Sequence, residues 1–433
     1  MEQLIQFLNK GVTQFHVVEQ CRAYLQKHGF QTLDMGKAWD VIPEGKYYVQ
    51  PFSSELIAFT VGANVENLRI ATAHTDFPML KLKSNPDMHK SGYHMVNVEP
   101  YGGLVMESWF DRPLGMAGKV VIKTEDAFSP EVRLYDSEDP LFVIPCLAPH
   151  LKKDDKNAKL DSQKELIPLL DVEGTNVSGS RVLNLVADKL ECAVQDILDY
   201  DLYLYNMDKA ELIGENKTLI SSPRIDDLSS VSAAVEGLVL AAEGKENGSL
   251  MLEEEKGNRN LNVIALFDNE EIGSRSKQGA DSVILQLILE RIFESLQLSE
   301  EDRYALMQHA FLASLDVAHA THPNYSDKSD PTNEVILGKG VVLKSSASQR
   351  YVTDSEASAV ILALGKQHNI DVQRQVNRSG MAGGQTLGPI TSSYLPVLAV
   401  DMGMPVLAMH SARELAHIND YEALKKMLNV LFV

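Results

Sequence analysis

The chain has 433 residues, enough for two cores of ordinary size rather than one. Its 44% hydrophobic and 23% charged residues are a soluble globular balance, and a formal net charge of −20 repels nucleic acid and anionic membrane, so neither is expected as a partner. Three cysteines, Cys21, Cys146 and Cys192, are too few and too scattered for a disulfide framework or a cysteine-rich zinc site. The opening residues Met1–Leu8 lack the basic and long apolar regions of a signal peptide, and no apolar run is long enough to span a bilayer. A cytoplasmic location is expected.

In chain order, Leu4, Phe7, Leu8, Val12, Phe15, Val18, Cys21 and Leu25 recur near helical spacing and predict one amphipathic helix over 4–28, stopped by Gly29. Tyr47–Val49 and Leu56–Val61 read as strands, and Leu68–Ala73 as a third that delivers His74-Thr75-Asp76 and breaks at Pro78. Between about 90 and 220 strand-like runs (118–123, 132–135, 202–205) alternate with turns, and Lys152–Lys164 reads as a solvated loop. This predicts a β-rich domain, 89–220, inserted into a discontinuous domain made of 1–88 and 221–433. Ser222-Pro223-Arg224-Ile225-Asp226-Asp227 opens a helix through Ala242, with Asp227 or a neighbour as its cap, and 243–260 reads as an exposed loop. Helix and strand signals then alternate to the C-terminus, as in a three-layer α/β/α sheet domain.

The chemistry gathers at the ends of apolar runs. Asn262–Phe267 reads as a core strand and runs into Asp268-Asn269-Glu270-Glu271, three carboxylates in four positions. Ligands bind at the carboxyl ends of strands in open α/β sheets. Crowded carboxylates persist where a cation neutralises them, although acids beside a helix N-terminus would be an ordinary alternative. His74 and Asp76, Asp226, Asp316 and His410 also stand at strand or helix ends. An unpaired buried carboxylate such as Asp316 would be costly. Two histidines and several carboxylates suit Zn²⁺, with Co²⁺ or Mn²⁺ also accommodated. The surplus of ligands over one zinc points to two ions about 3.5–4 Å apart. The glycines at 380, 383, 384 and 388 lack the following Lys-Ser/Thr of a phosphate-binding loop.

Taken in order, His74-Thr75-Asp76, Arg224-Ile225-Asp226-Asp227, Asp268 to Ser274, Asp316 to Tyr325 and Met409-His410-Ser411-Ala412-Arg413-Glu414 resemble the motifs of the aspartyl-aminopeptidase-like dinuclear zinc peptidases. Tyr101-Gly102-Gly103, Trp109–Arg112 and Gln349-Arg350-Tyr351 extend the resemblance over essentially the whole chain. It implies that His74, Asp226 and Asp316 hold one metal and Asp226, Glu271 and His410 the other. Glu270 would then be the general base, with Asp76 orienting His74. It further implies that the insertion mediates dimerisation within a homo-dodecamer and sends His150 into a neighbouring site. Substrate binding would fall to His150, Lys344 and Tyr351, with Lys344 placed to meet an acidic first side chain. Around Trp109 and in the loop 379–386 the sequence departs from the acid-preferring pattern.

The expected activity is removal of the N-terminal residue from peptides. The alternatives are a two-metal deacylase or carboxypeptidase, for which Lys344, Arg350 or Arg413 would supply the carboxylate-binding cation, and a non-catalytic shell protein. A shell has no use for carboxylates that repel one another.

Overall fold

Strands that alternate between two cores explain the architecture. In Leu56–Val61, Leu56 and Ala58 join one apolar cluster while Ile57, Phe59 and Val61 join another. Asn260–Phe267 divides the same way, with Ile264 and Leu266 on one face and Val263, Ala265 and Phe267 on the other. A strand apolar on both faces must be covered on both. Ile225–Ala242 and Ile418–Phe432 lie on the first face, and Ile284–Ser295 with Leu387–Tyr394 on the second. The result is the three-layer α/β/α arrangement expected from the sequence. This computed structural model describes residues 1–151, 160–172, 179–246, 249–250, 259–381 and 383–433.

The large sheet has nine strands in the order Gln31–Leu33, Lys46–Val49, Leu56–Val61, Asn260–Phe267, Asn67–His74, Phe311–Leu315, Leu398–Gly403, Val341–Ser345 and Val372–Val376. Its four central strands, from Asn260–Phe267 to Leu398–Gly403, are mutually parallel, so their carboxyl ends share one edge. The second unit is a six-stranded antiparallel sheet ordered Glu131–Asp136, Leu114–Ile122, Ile197–Asn206, Met79–Lys90, Tyr93–Tyr101 and Leu169–Val172. It has its own apolar core, to which the helix Arg181–Leu190 contributes Val182 and Val186.

Several local expectations need correction. Residues 4–28 form two helices, Glu2–Lys10 and Gln14–Lys27. The break at Gly11 lies where an added Cβ would come within 2.8 Å of Leu228 Cδ2, a close approach that periodicity cannot reveal. The second sheet begins at Met79, so the expected boundary at residue 89 falls inside one of its strands; the break is at Pro78. Within 243–260, Lys245–Glu246 and Ser249–Leu250 pair as a short ribbon, while 247–248 and 251–258 lie outside the described residues, as do 152–159 of the charged stretch and Ala382 of the glycine-rich loop. Among the described residues no helix is long and apolar enough to cross a membrane.

Candidate active site

The site follows from the sheet order. Because Asn67–His74 lies between the parallel strands Asn260–Phe267 and Phe311–Leu315, their carboxyl ends bring His74, the run from Asp268 to Glu271, and Asp316 side by side. Asp226 arrives from the helix Ile225–Ala242, whose backbone at Asp226 and Asp227 is not helical. The regular helix starts after them. Asp227 stands directly before it, and its Oδ2 accepts a hydrogen bond from His74 N at 3.3 Å. His410 comes from a loop beyond the two-residue strand Pro405–Val406, not from the end of a longer strand. Gly403 ends the neighbouring strand where a Cβ would sit 2.0 Å from Asp316 O, so only glycine allows this approach.

Two groups of ligand atoms result. His74, Asp226, Asp227 and Asp316 form one, and Asp226, Glu271 and His410 the other. Asp226 is shared. Its Oδ1 lies 3.4 Å from His74 Nε2 and its Oδ2 lies 3.4 Å from His410 Nε2. Asp316 Oδ1 is 3.9 Å from His74 Nε2, and Glu271 Oε2 is 3.4 Å from His410 Nε2.

Neighbouring groups set the orientation of these side chains. His74 Nδ1 donates to Asp76 O at 3.0 Å and His410 Nδ1 to Gly103 O at 2.9 Å. A carbonyl can only accept, so each ring keeps a proton on Nδ1 and points Nε2 at the carboxylates, leaving Nε2 as the nitrogen that would bind a metal. Asp76 accepts Glu270 N at 3.1 Å, Glu271 N at 3.2 Å and the Tyr101 hydroxyl at 2.7 Å, while Tyr101 in turn accepts from Asn269 Nδ2. The carboxylate of Asp76 thus fixes the backbone of both glutamates. Asn269, at φ +64°, turns the chain sharply before them, a conformation asparagine tolerates better than most residues.

Electrostatics favour a cation. Asp226 Oδ1 and Glu271 Oε1 are buried and accept no hydrogen bond. Burial pushes the Glu270 carboxyl up to about 8, with His74 opposing and Asp316, Asp76 and Asp226 adding to the rise. Burial and Asp226 hold Glu271 well above the carboxylate range. Burial lowers the His410 pKa, but Asp226, Glu271 and Glu414 overcome it and raise it to about 10. Left to themselves these groups take up protons; divalent cations would replace those protons and satisfy the bare oxygens. The donor set fits.

The structure brings together six of the expected residues: His74, Asp76, Asp226, Glu271, Asp316 and His410, with Glu270 beside them. The remaining three stand differently. Lys344 is 1% exposed, and its ammonium donates to Asp316 Oδ2 and Val317 O, both at 3.1 Å. Tyr351 is buried with its ring centroid 5.3 Å from Lys344 Nζ. His150 is exposed in the turn Pro149–Leu151, and among the described residues no contact joins it to the cluster. Glu414, Asn269 and Tyr101 are site residues without an expected role, and Asp227 is expected only as a helix cap. Glu414 and Asp227 lie within the motifs, but an acid's purpose there depends on which backbone groups face it. Beside the cluster a cleft of about 290 Å³ is lined by His319, His322, Tyr325, Arg378, Met381 and Met409, among others.

Comparison with known proteins agrees with this geometry. Residues 7–432 match the family described as aminopeptidase I zinc metalloprotease, M18. The probable M18 family aminopeptidase 2 of Clostridium novyi is 39% identical over 425 residues, covering 97% of this chain and 95% of the relative. That of Clostridium acetobutylicum is 37% identical over 431 residues, covering 98% and 96%. Among solved structures, the complex of Ape4 and Nbr1 superposes with a TM-score of 0.91 at 31% identity, over 99% of this chain and 84% of that one. The mApe1 dodecamer of S. cerevisiae gives 0.84 at 26% identity, over 100% and 95%. With acidic and histidine side chains converging at the sheet's carboxyl edge, the chain belongs to the M18 family of zinc aminopeptidases.

Proposed function

We propose that the enzyme works with two metal ions, His74, Asp226 and Asp316 holding one and Asp226, Glu271 and His410 the other. The observation that carries this is the Asp226 carboxylate, whose two oxygens each face a different histidine Nε2 at 3.4 Å. Zinc is the expected ion, from the family. When bound, such ions polarise a carbonyl and supply hydroxide near neutral pH. Glu270 takes the proton from the attacking water and passes it to the leaving amine nitrogen. Asp76 holds Glu270 through its backbone N–H and keeps His74 in place. The peptide's first residues occupy the cleft that opens toward His319 and Met409. Initial rates on aminoacyl-p-nitroanilides against N-blocked and C-terminal substrates test this; faster cleavage of blocked or C-terminal substrates would remove it. Carboxypeptidase action fits less well because Arg413 is engaged by Ser221 and Asp208, and Lys344 by Asp316.

A preference for an acidic first residue rests on Lys344. A substrate carboxylate would have to share that ammonium with Asp316. Substituting Lys344→Met separates two roles. If the ammonium meets an acidic side chain, Asp- and Glu-substrates lose at least about tenfold more than Leu-substrates, the value of one charge-assisted contact. If it positions Asp316, all substrates fall together. Its burial and its hydrogen bond to Asp316 lead us to expect the parallel fall; a selective loss of acidic turnover would return Lys344 to the substrate pocket.

Homo-oligomerisation, and a cytoplasmic setting, complete the reading. The mApe1 relative is a dodecamer. In this chain the β-rich unit exposes Phe128, Leu147, Leu151, Val172 and Leu198, an apolar complement suited to burial between copies. A His150 donated across such an interface gives a specific outcome. Mixed His150→Ala and Glu270→Gln subunits should recover part of the activity, because one hybrid site holds both intact residues. Exchanged subunits without recovery would exclude donation.

A further inference from the structure

We infer that Glu414 is a positioning residue that locks two metal-binding loops together and thereby sets the affinity of one of the two ions. The inference rests on the two-metal reading and adds a residue to it. Glu414 is buried, and its two oxygens have separate tasks. Oε2 accepts the backbone N–H of Asp226 at 3.0 Å, and Oε1 accepts that of His410 at 2.9 Å. One carboxylate therefore ties the shared ligand to a ligand 184 residues further along the chain.

The fold places Glu414 for this. The strand Glu414–His417 pairs antiparallel with Leu219–Ser222, with Glu414 opposite Ser222, just before the chain turns toward Asp226. At its other side, Leu415 and Leu407 exchange hydrogen bonds of 2.8 and 3.0 Å, closing the loop that carries His410. Within that loop Ala408 and His410 have φ of +59° and +64°, and Arg224, before Asp226, has +62°. Non-glycine residues hold such backbone only where surrounding contacts over-determine it. Glu414 provides such a contact at both loops. Asp76 does the equivalent for Glu270 and Glu271, so two buried carboxylates hold the backbone of the site.

The consequence is asymmetric. The group of Asp226, Glu271 and His410 has two members whose backbone Glu414 holds; the group of His74, Asp226 and Asp316 has one. A glutamine at 414 keeps the volume but turns one amide NH₂ toward a backbone N–H, so one loop loses its acceptor. Partners of metal ligands are worth about 10–100-fold in metal affinity. Loss of Glu414 should weaken the ion held by His410 by that amount and the other much less.

The test is equilibrium dialysis of the assembled enzyme with Zn²⁺ and with Co²⁺, comparing wild type, Glu414→Gln and Glu414→Asp, alongside thermal unfolding. The expected result for Glu414→Gln is one tightly held ion and a second weakened by about 10–100-fold. Activity should return toward wild type in excess metal. A uniform structural defect would lower both affinities together. Two ions bound as in wild type, or equal loss of both, would overturn the role of Glu414. If Glu414→Gln does not fold, the charge-retaining Glu414→Asp decides by the same criterion. Wild type that binds one ion only would instead refute the two-metal reading, so the two failures are distinguishable.

Discussion

Glu270→Gln is expected to lower kcat by about 10²–10⁴ while leaving KM, metal content and folding close to wild type. The amide fills the same space and keeps the backbone hydrogen bond from Glu270 N to Asp76, so the adjacent Glu271 should not move. What disappears is the capacity to take a proton, which matters in the transition state and little in the bound ground state. Glu271→Gln should behave in the opposite way. Its Oε2 faces His410 Nε2 at 3.4 Å, so its loss should weaken one ion and be partly rescued by excess Zn²⁺. Steady-state kinetics with metal analysis on both variants checks the pair. If Glu270→Gln sheds an ion and Glu271→Gln does not, the roles are reversed.

Asp226→Ala should have the largest effect on metal content, removing both ions together. Each of its oxygens faces a different histidine, so neither ligand group survives its loss. His74→Ala and His410→Ala should each leave one ion in place. The stability signature has a definite sign. In the wild type, ions that bind only the folded chain stabilise it by about 4 kcal/mol at a thousandfold excess over Kd, so a chelator should lower Tm. In Asp226→Ala, Tm should become insensitive to chelator. The metal-free variant should be less stable than metal-free wild type at neutral pH, since, despite burial, His410 and His74 hold the Asp226 carboxyl well below the usual carboxylate range and its loss leaves both rings without that partner. Full double occupancy in Asp226→Ala would refute the shared ligand.

The candidate site was legible in the sequence to an unusual depth because its chemistry is expensive to bury. Asp316 follows the fully buried run Phe311–Leu315, and Glu270 and Glu271 follow Asn260–Phe267. Acids in such places need partners, so polar residues that interrupt apolar periodicity mark a site before any contact is known. The same periodicity supplied the strands, since a run apolar on both faces has to be an inner strand covered on both sides.

The sequence alone determined the class of domain and marked the strand ends where candidate ligands gather, and its ordered motifs implied the roles proposed for them. Only the tertiary structure decided the rest. The sheet order placed three strand ends in contact, and this depends on pairing between segments nearly 200 residues apart, such as Asn67–His74 with Asn260–Phe267. Lys344 reads in the sequence as a cation placed to meet substrate; that its ammonium also pairs with Asp316 is visible only in the fold. Glu414 reads as one more acid in a motif; its role exists because two backbone N–H groups from distant loops converge on it. Composition and spacing report what a side chain needs. Which of several partners meets that need is set by long-range packing, in which each contact joins parts of the chain that carry no local record of one another.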